Sequence, residues 1–101
     1  MKKENLPKKI AVFPLSNFII FPKTTVPLNI FFLEKKFTFK NFLDSQNFVN
    51  QVGKISEDEG HHPEILFGWG YAKISITTHA IEGLSENDFI LAAKIDKEIN
   101  V

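Results

Sequence analysis

In "LEKKFTFKNFLDSQNFVNQVGKISEDEG", residues 33–60, polarity first alternates and then recurs at helical spacing. Leu33, Lys35, Phe37 and Phe39 share one side of an extended run, and Glu34, Lys36 and Thr38 the other, so residues 33–40 read as a half-buried strand. From Asn41 the period lengthens. Phe42, Leu43, Phe48, Val49, Val52 and Ile55 fall on one broad helical stripe, with Asp44, Asn47, Asn50, Lys54 and Glu57 mostly off it. Gly60 supplies the stop, which places the helix end near Glu59.

The chain then repeats the alternation twice. "PEILF" and "YAKISITTH" read as strands joined by "GWG", whose glycines suit a tight hairpin. Ala72, Ile74, Ile76 and Thr78 form the inward side of the second strand; Tyr71, Lys73, Ser75, Thr77 and His79 form the other. Trp69, between the glycines, is expected either to cap the turn over the core, the reading favoured here, or to stand exposed at a ligand or subunit contact. Ser85 opens a second helix, with Asp88 three residues on in a capping-box-like arrangement. Phe89, Leu91, Ala92, Ala93, Ile95 and Ile99 line that helix. Upstream, "IAVFPLSNFIIF" and "TTVPLNIFF" are β-branched, aromatic and interrupted by Pro14 and Pro27, the mark of edge or broken strands. Strand, helix, hairpin, helix predicts an antiparallel α+β domain.

Composition removes several functions. The chain of 101 residues is 44% hydrophobic and carries 11 Phe, enough for one core. It has no cysteine, which excludes disulfides, thiolate nucleophiles and cysteine zinc sites and fits a reducing, cytoplasmic setting. All 12 basic residues are Lys. Without a guanidinium fork, and with acids outnumbering lysines after residue 30, direct nucleic-acid binding is disfavoured. The basic, partly apolar N-terminus is too short and too broken by Pro14, Ser16 and Asn17 to cross a bilayer, and no small-residue cleavage site follows it.

The chemistry concentrates in three histidines. His61 and His62 stand at the helix-to-strand junction, and His79 ends the hairpin's second strand. A hairpin closing through Gly68–Gly70 sets residues near 61–63 beside residues near 75–79. Histidine is the usual general acid or base near neutrality, and Glu57 and Asp88 are carboxylates able to orient it. A metal is disfavoured, because adjacent histidines on an extended chain point to opposite sides. Without a family in view, three unrelated surface histidines account for the pattern slightly better than one site does.

The motifs change that balance. From about residue 32 to residue 97 the chain resembles pterin-4a-carbinolamine dehydratase, also called the dimerisation cofactor of a homeodomain transcription factor. The resemblance rests on an acidic residue four before the pair, on His61-His62-Pro63, and on Thr78-His79 seventeen residues after His62. Gly83-Leu84-Ser85 followed by Asp88 completes it. It implies an antiparallel four-stranded sheet with helices on one face, and dehydration of 4a-hydroxytetrahydropterin to quinonoid dihydropterin without metal or cofactor. It further implies His61 and His79 as acid/base groups, His62 as a pterin contact, Pro63 as a rigid support, and Glu57 and Asp88 as supporting carboxylates. Cytoplasmic homodimers or homotetramers would be the assembly, with pterin as the small-molecule partner and neither nucleic acid nor membrane bound.

The N-terminus departs from that family, whose first helix and Trp-containing strand are expected to be replaced here. "LPKKIAVFPLSNFIIFPKTTVPLNIF", about residues 6–31, resembles the opening strands of the substrate-binding domain of Lon-type proteases. The expected organisation is therefore a strand-like segment over 1–31, too short to be a domain, and a dehydratase-like domain over 32–101. One expected role for the segment is to supply an edge strand, pairing "TVPLNIFF" with "LEKKFTF". Two other functions compete with the enzyme: a dehydratase-like dimeric binding module, and a fusion whose exchanged N-terminus has disabled it.

Overall fold

The computed structural model describes residues 18–22, 31–78 and 83–99, with side chains as far as residue 97. Four strands and two helices follow in the order β1 (Ile19–Pro22), β2 (Phe31–Thr38), α1 (Phe42–Glu59), β3 (Glu64–Gly68), β4 (Tyr71–Ile76) and α2 (Glu86–Ile99). The strands form one antiparallel sheet in the order β1-β2-β4-β3. This is the expected α+β architecture.

Alternation decides which face of the sheet is covered. Leu33 and Phe37 of β2 and Ala72, Ile74 and Ile76 of β4 are buried and meet Phe48 and Val52 of α1 and Phe89, Leu91, Ala92 and Ile95 of α2. Each fully buried aliphatic side chain stabilises the fold by roughly 1.5–3 kcal/mol. Both helices therefore lie on this face. Lys35 also points inward, as its parity requires. Its ammonium bonds Asp96 Oδ1 of α2 at 2.8 Å and lies 4.4 Å from the centre of the Phe37 ring, so its charge is neutralised within the core layer.

The helix boundaries follow from their caps. Asn41 accepts a 2.7 Å hydrogen bond from Asp44 N–H through its side chain and starts α1. Gly60 ends it at φ 66°, a left-handed conformation in which a Cβ is costly. Gly60 N–H donates to Glu57 O and His61 N–H to Ser56 O, the paired bonds of a Schellman motif. At α2 the carboxylate half of a capping box is present: Asp88 Oδ2 accepts from Ser85 N–H at 2.7 Å.

Three expectations need correction. The inward line of α1 runs through Ser45, Phe48, Val52 and Ser56, whereas Phe42 and Leu43 are exposed. The first turn lies against the edge strand β3, where the Phe42 ring is tilted against that of Phe67, with ring centres 5.6 Å apart. The serines can be buried because their hydroxyls bond carbonyls four residues back, at Asn41 and Val52. Trp69 does not cap the core: it is 70% exposed, because the two-residue turn projects past the end of the sheet. Finally, the edge strand paired with β2 is Ile19–Pro22, with Ile20 opposite Leu33. Phe31 and Phe32 already belong to β2. Pro14 and Pro27 lie outside the described residues.

Candidate active site

The Schellman turn that ends α1 delivers the two histidines in sequence, and they part at once. The Nε2 of His61 lies 2.5 Å from Asp88 Oδ1, whereas the Nε2 of His62 lies 2.8 Å from Glu57 Oε1. The environments differ as much as the directions. Asp88 is completely buried and the His61 side chain only 18% exposed, while His62 and Glu57 are 61% and 81% exposed. An ion pair of the second kind contributes about 0–1 kcal/mol.

Asp88 uses both carboxylate oxygens within the protein. Oδ1 faces His61, and Oδ2 accepts from Ser85 N–H and, at 2.8 Å, from Thr78 Oγ1. The Thr78 hydroxyl is 2.7 Å from Ser85 Oγ. Thr78 is itself pinned by two backbone hydrogen bonds with Gly83. Four residues, His61, Thr78, Ser85 and Asp88, thus gather their polar groups at the N-terminus of α2, where the helix dipole also favours a carboxylate.

Beside this cluster, on the sheet face away from the helices, lies a cavity of about 400 Å³ lined by Phe32, Glu34, His62, Glu64, Ser75 and Thr77, among others. Glu34 is pre-oriented there, accepting from Ser75 Oγ at 3.0 Å. Of the residues expected to form the site, His62 lines the cavity, whereas His61 and Asp88 form a buried pair that is not part of its lining. Glu57 contacts His62, and Pro63 joins the pair to β3. His79 lies outside the described residues. Thr78 and Ser85 are site residues that sequence reasoning misses. A signal exists for Thr78, since alternation places it on the inward face, where a hydroxyl must find a partner.

The described residues form an α+β sheet backed by two helices, with one histidine, His61, held on a buried carboxylate and its neighbour, His62, lining a cavity. A sequence model for pterin 4 alpha carbinolamine dehydratase matches residues 29–98, and the chain belongs to that family. A provisionally named pterin-4-alpha-carbinolamine dehydratase of Halorhodospira halophila is 51% identical over 75 residues, 74% of this chain and 69% of that one. The chain spans 69%, 64% and 61% of the length of three such relatives. The crystal structure of a transcriptional coactivator/pterin dehydratase from Brucella melitensis shares the fold, with a TM-score of 0.71 at 18% identity over 96% of this chain and 95% of that one. A pterin dehydratase-like protein identified as a RuBisCO assembly factor in the alpha-carboxysome has a TM-score of 0.59 at 27% identity, over 69% of this chain and 81% of that one. Among the described residues, no helix is long and apolar enough to cross a membrane.

Proposed function

We propose that the chain dehydrates 4a-hydroxytetrahydropterin to quinonoid dihydropterin in the recycling of a pterin cofactor. The observation that carries this reading is the buried Asp88 carboxylate holding His61 at 2.5 Å, in a chain of the pterin carbinolamine dehydratase family. In the reaction, the bond from C4a to its hydroxyl breaks and a double bond forms between C4a and the adjacent ring nitrogen. One proton passes to the departing hydroxyl and one leaves the nitrogen, so that the sum is loss of water. Without an acid the leaving group would be hydroxide. A protonated histidine converts it to water, a contribution of about 10²–10⁴ in rate.

In this scheme His61 and His79 exchange the protons, and His62, Pro63, Glu57 and Asp88 shape or support the pterin site. All the groups are the chain's own; the reaction as proposed draws on no metal or cofactor. A homodimer or homotetramer in the cytoplasm is the proposed working form, with residues 1–31 as an appended segment and 32–101 as the dehydratase-like domain. The test follows the decay of 4a-hydroxytetrahydropterin in the ultraviolet, beside a His61→Ala/His79→Ala double variant. The proposal expects acceleration by the native chain and its collapse in the variant. A folded native chain no faster than buffer refutes the enzyme.

A binding function is the alternative. It is favoured by the exposed apolar side chains Phe42, Leu43, Leu66 and Trp69, and by the assembly-factor role of the pterin dehydratase-like neighbour. A native chain without dehydratase activity that still forms a stable oligomer would support it; an insoluble one would support the disabled fusion.

A further inference from the structure

We infer that His61 works through its Nδ1 atom, and that Thr78 and Ser85 are positioning residues that impose this choice through Asp88. The inference rests on the dehydratase reading for its consequence in catalysis, but its geometry stands on the hydrogen bonds alone.

The assignment follows from counting protons. Ser85 N–H can only donate, so Asp88 Oδ2 accepts there at 2.7 Å. Thr78 Oγ1 donates its single proton to the same oxygen at 2.8 Å. With that proton spent, Thr78 can only accept in its 2.7 Å contact with Ser85, so the Ser85 hydroxyl is the donor. The order is then fixed: Ser85 Oγ–H to Thr78 Oγ1–H to Asp88 Oδ2. A carboxylate so supplied on one oxygen presents the other, Oδ1, as an acceptor. The His61 nitrogen facing it at 2.5 Å must therefore carry a proton, in the neutral and the charged ring alike.

Nε2 is thereby withdrawn from proton exchange, and only Nδ1 is left. Among the described residues no hydrogen bond reaches Nδ1. When the charged ring gives its Nδ1 proton to the departing hydroxyl, the neutral ring that remains already has its Nε2 proton on Asp88 and needs no reorientation before it is protonated again. The backbone supports the same geometry. His61 N–H is tied to Ser56 O, and Thr78 is tied to Gly83 by two backbone bonds, so neither end of the chain of hydrogen bonds can swing away.

The proposal differs from a purely structural role for Thr78 in one measurable respect, the tautomer of His61. Two-bond proton–nitrogen correlations on the chain with ¹⁵N-labelled histidine report which ring nitrogen is protonated, and the His61 signals are assigned by their loss in His61→Gln. Spectra are recorded over a series of rising pH, and the tautomer is read where the ring signals no longer change with pH. The native chain is expected to show His61 protonated at Nε2. Thr78→Val should give a mixture of tautomers and a fall in kcat of roughly tenfold, the size of one hydrogen bond to a charged group, with KM within about twofold. Thr78→Ser should restore both. Ser85→Ala, which keeps the N–H on Asp88, should move both readouts the same way by less, and it serves in place of Thr78→Val if that variant does not fold. A native His61 protonated at Nδ1 overturns the inference, as do native spectra and native kcat in Thr78→Val or, in its place, in Ser85→Ala. If the native chain proves inactive on the pterin, the dehydratase reading fails by itself, and the tautomer still decides between these outcomes.

Discussion

His61 and His62 are neighbours of the same chemical type, each in contact with one carboxylate, and they have almost nothing else in common. His61 faces an acid with no exposed surface, and that acid is held from two further directions by Thr78 and Ser85. His62 faces an acid that is 81% exposed, across a pair that water can replace at little cost. Two contacts of similar length thus carry opposite weight. Burial makes the first pair expensive to break and leaves the second free to rearrange around a ligand.

That contrast can be broken most directly at its buried end. Asp88→Ala leaves His61, Thr78 and Ser85 N–H facing a void, and should cost about 3 kcal/mol of stability, read as a lowered denaturant midpoint. A loss below about 1 kcal/mol would show that solvent reaches the pair and that the two histidines are less different than they look. In the pterin assay, His61→Ala is expected to lower kcat about a hundredfold or more, the scale of a lost general acid. His62→Ala should act mainly on KM, so equal kcat losses in the two variants would erase the distinction.

Gly60→Ala sharpens the comparison from the backbone. It introduces a Cβ at φ 66° where space is open, so its cost is conformational, about 1 kcal/mol, and is read by thermal unfolding. The smallest effect belongs to Glu57→Gln, expected to change stability by less than about 0.5 kcal/mol, with any difference fading as salt is added. A cost of about 2 kcal/mol there would mean that the His62 pair is shielded in solution, against the usual behaviour of exposed pairs.

Much of the fold is legible in the amino-acid sequence. Strand alternation places Leu33, Phe37, Ala72, Ile74 and Ile76 on the buried face, and the Asn41 and Gly60 caps bound α1 closely. The stripe of α1 is less legible, because hydrophobicity nominates Phe42 and Leu43 while burial goes to Ser45 and Ser56. A serine that bonds a carbonyl four residues back is small and satisfied, and packs where a composition rule expects a leucine. Trp69 misleads in the opposite sense: its size suggests burial, and the length of the hairpin turn leaves it outside.

Periodicity, the helix boundaries at Gly60 and Ser85, and a histidine pair between a helix and a hairpin are all present in the order of the residues. Those properties are local, set by backbone conformation and by side chains a few residues apart. It took the packed fold to select His61 rather than His62 as the partner of the buried acid, and to bring Thr78, ten residues from Asp88, into the chain of hydrogen bonds. Contacts of that kind depend on how α2 packs against the end of β4, and on which polar groups are left without water once it does.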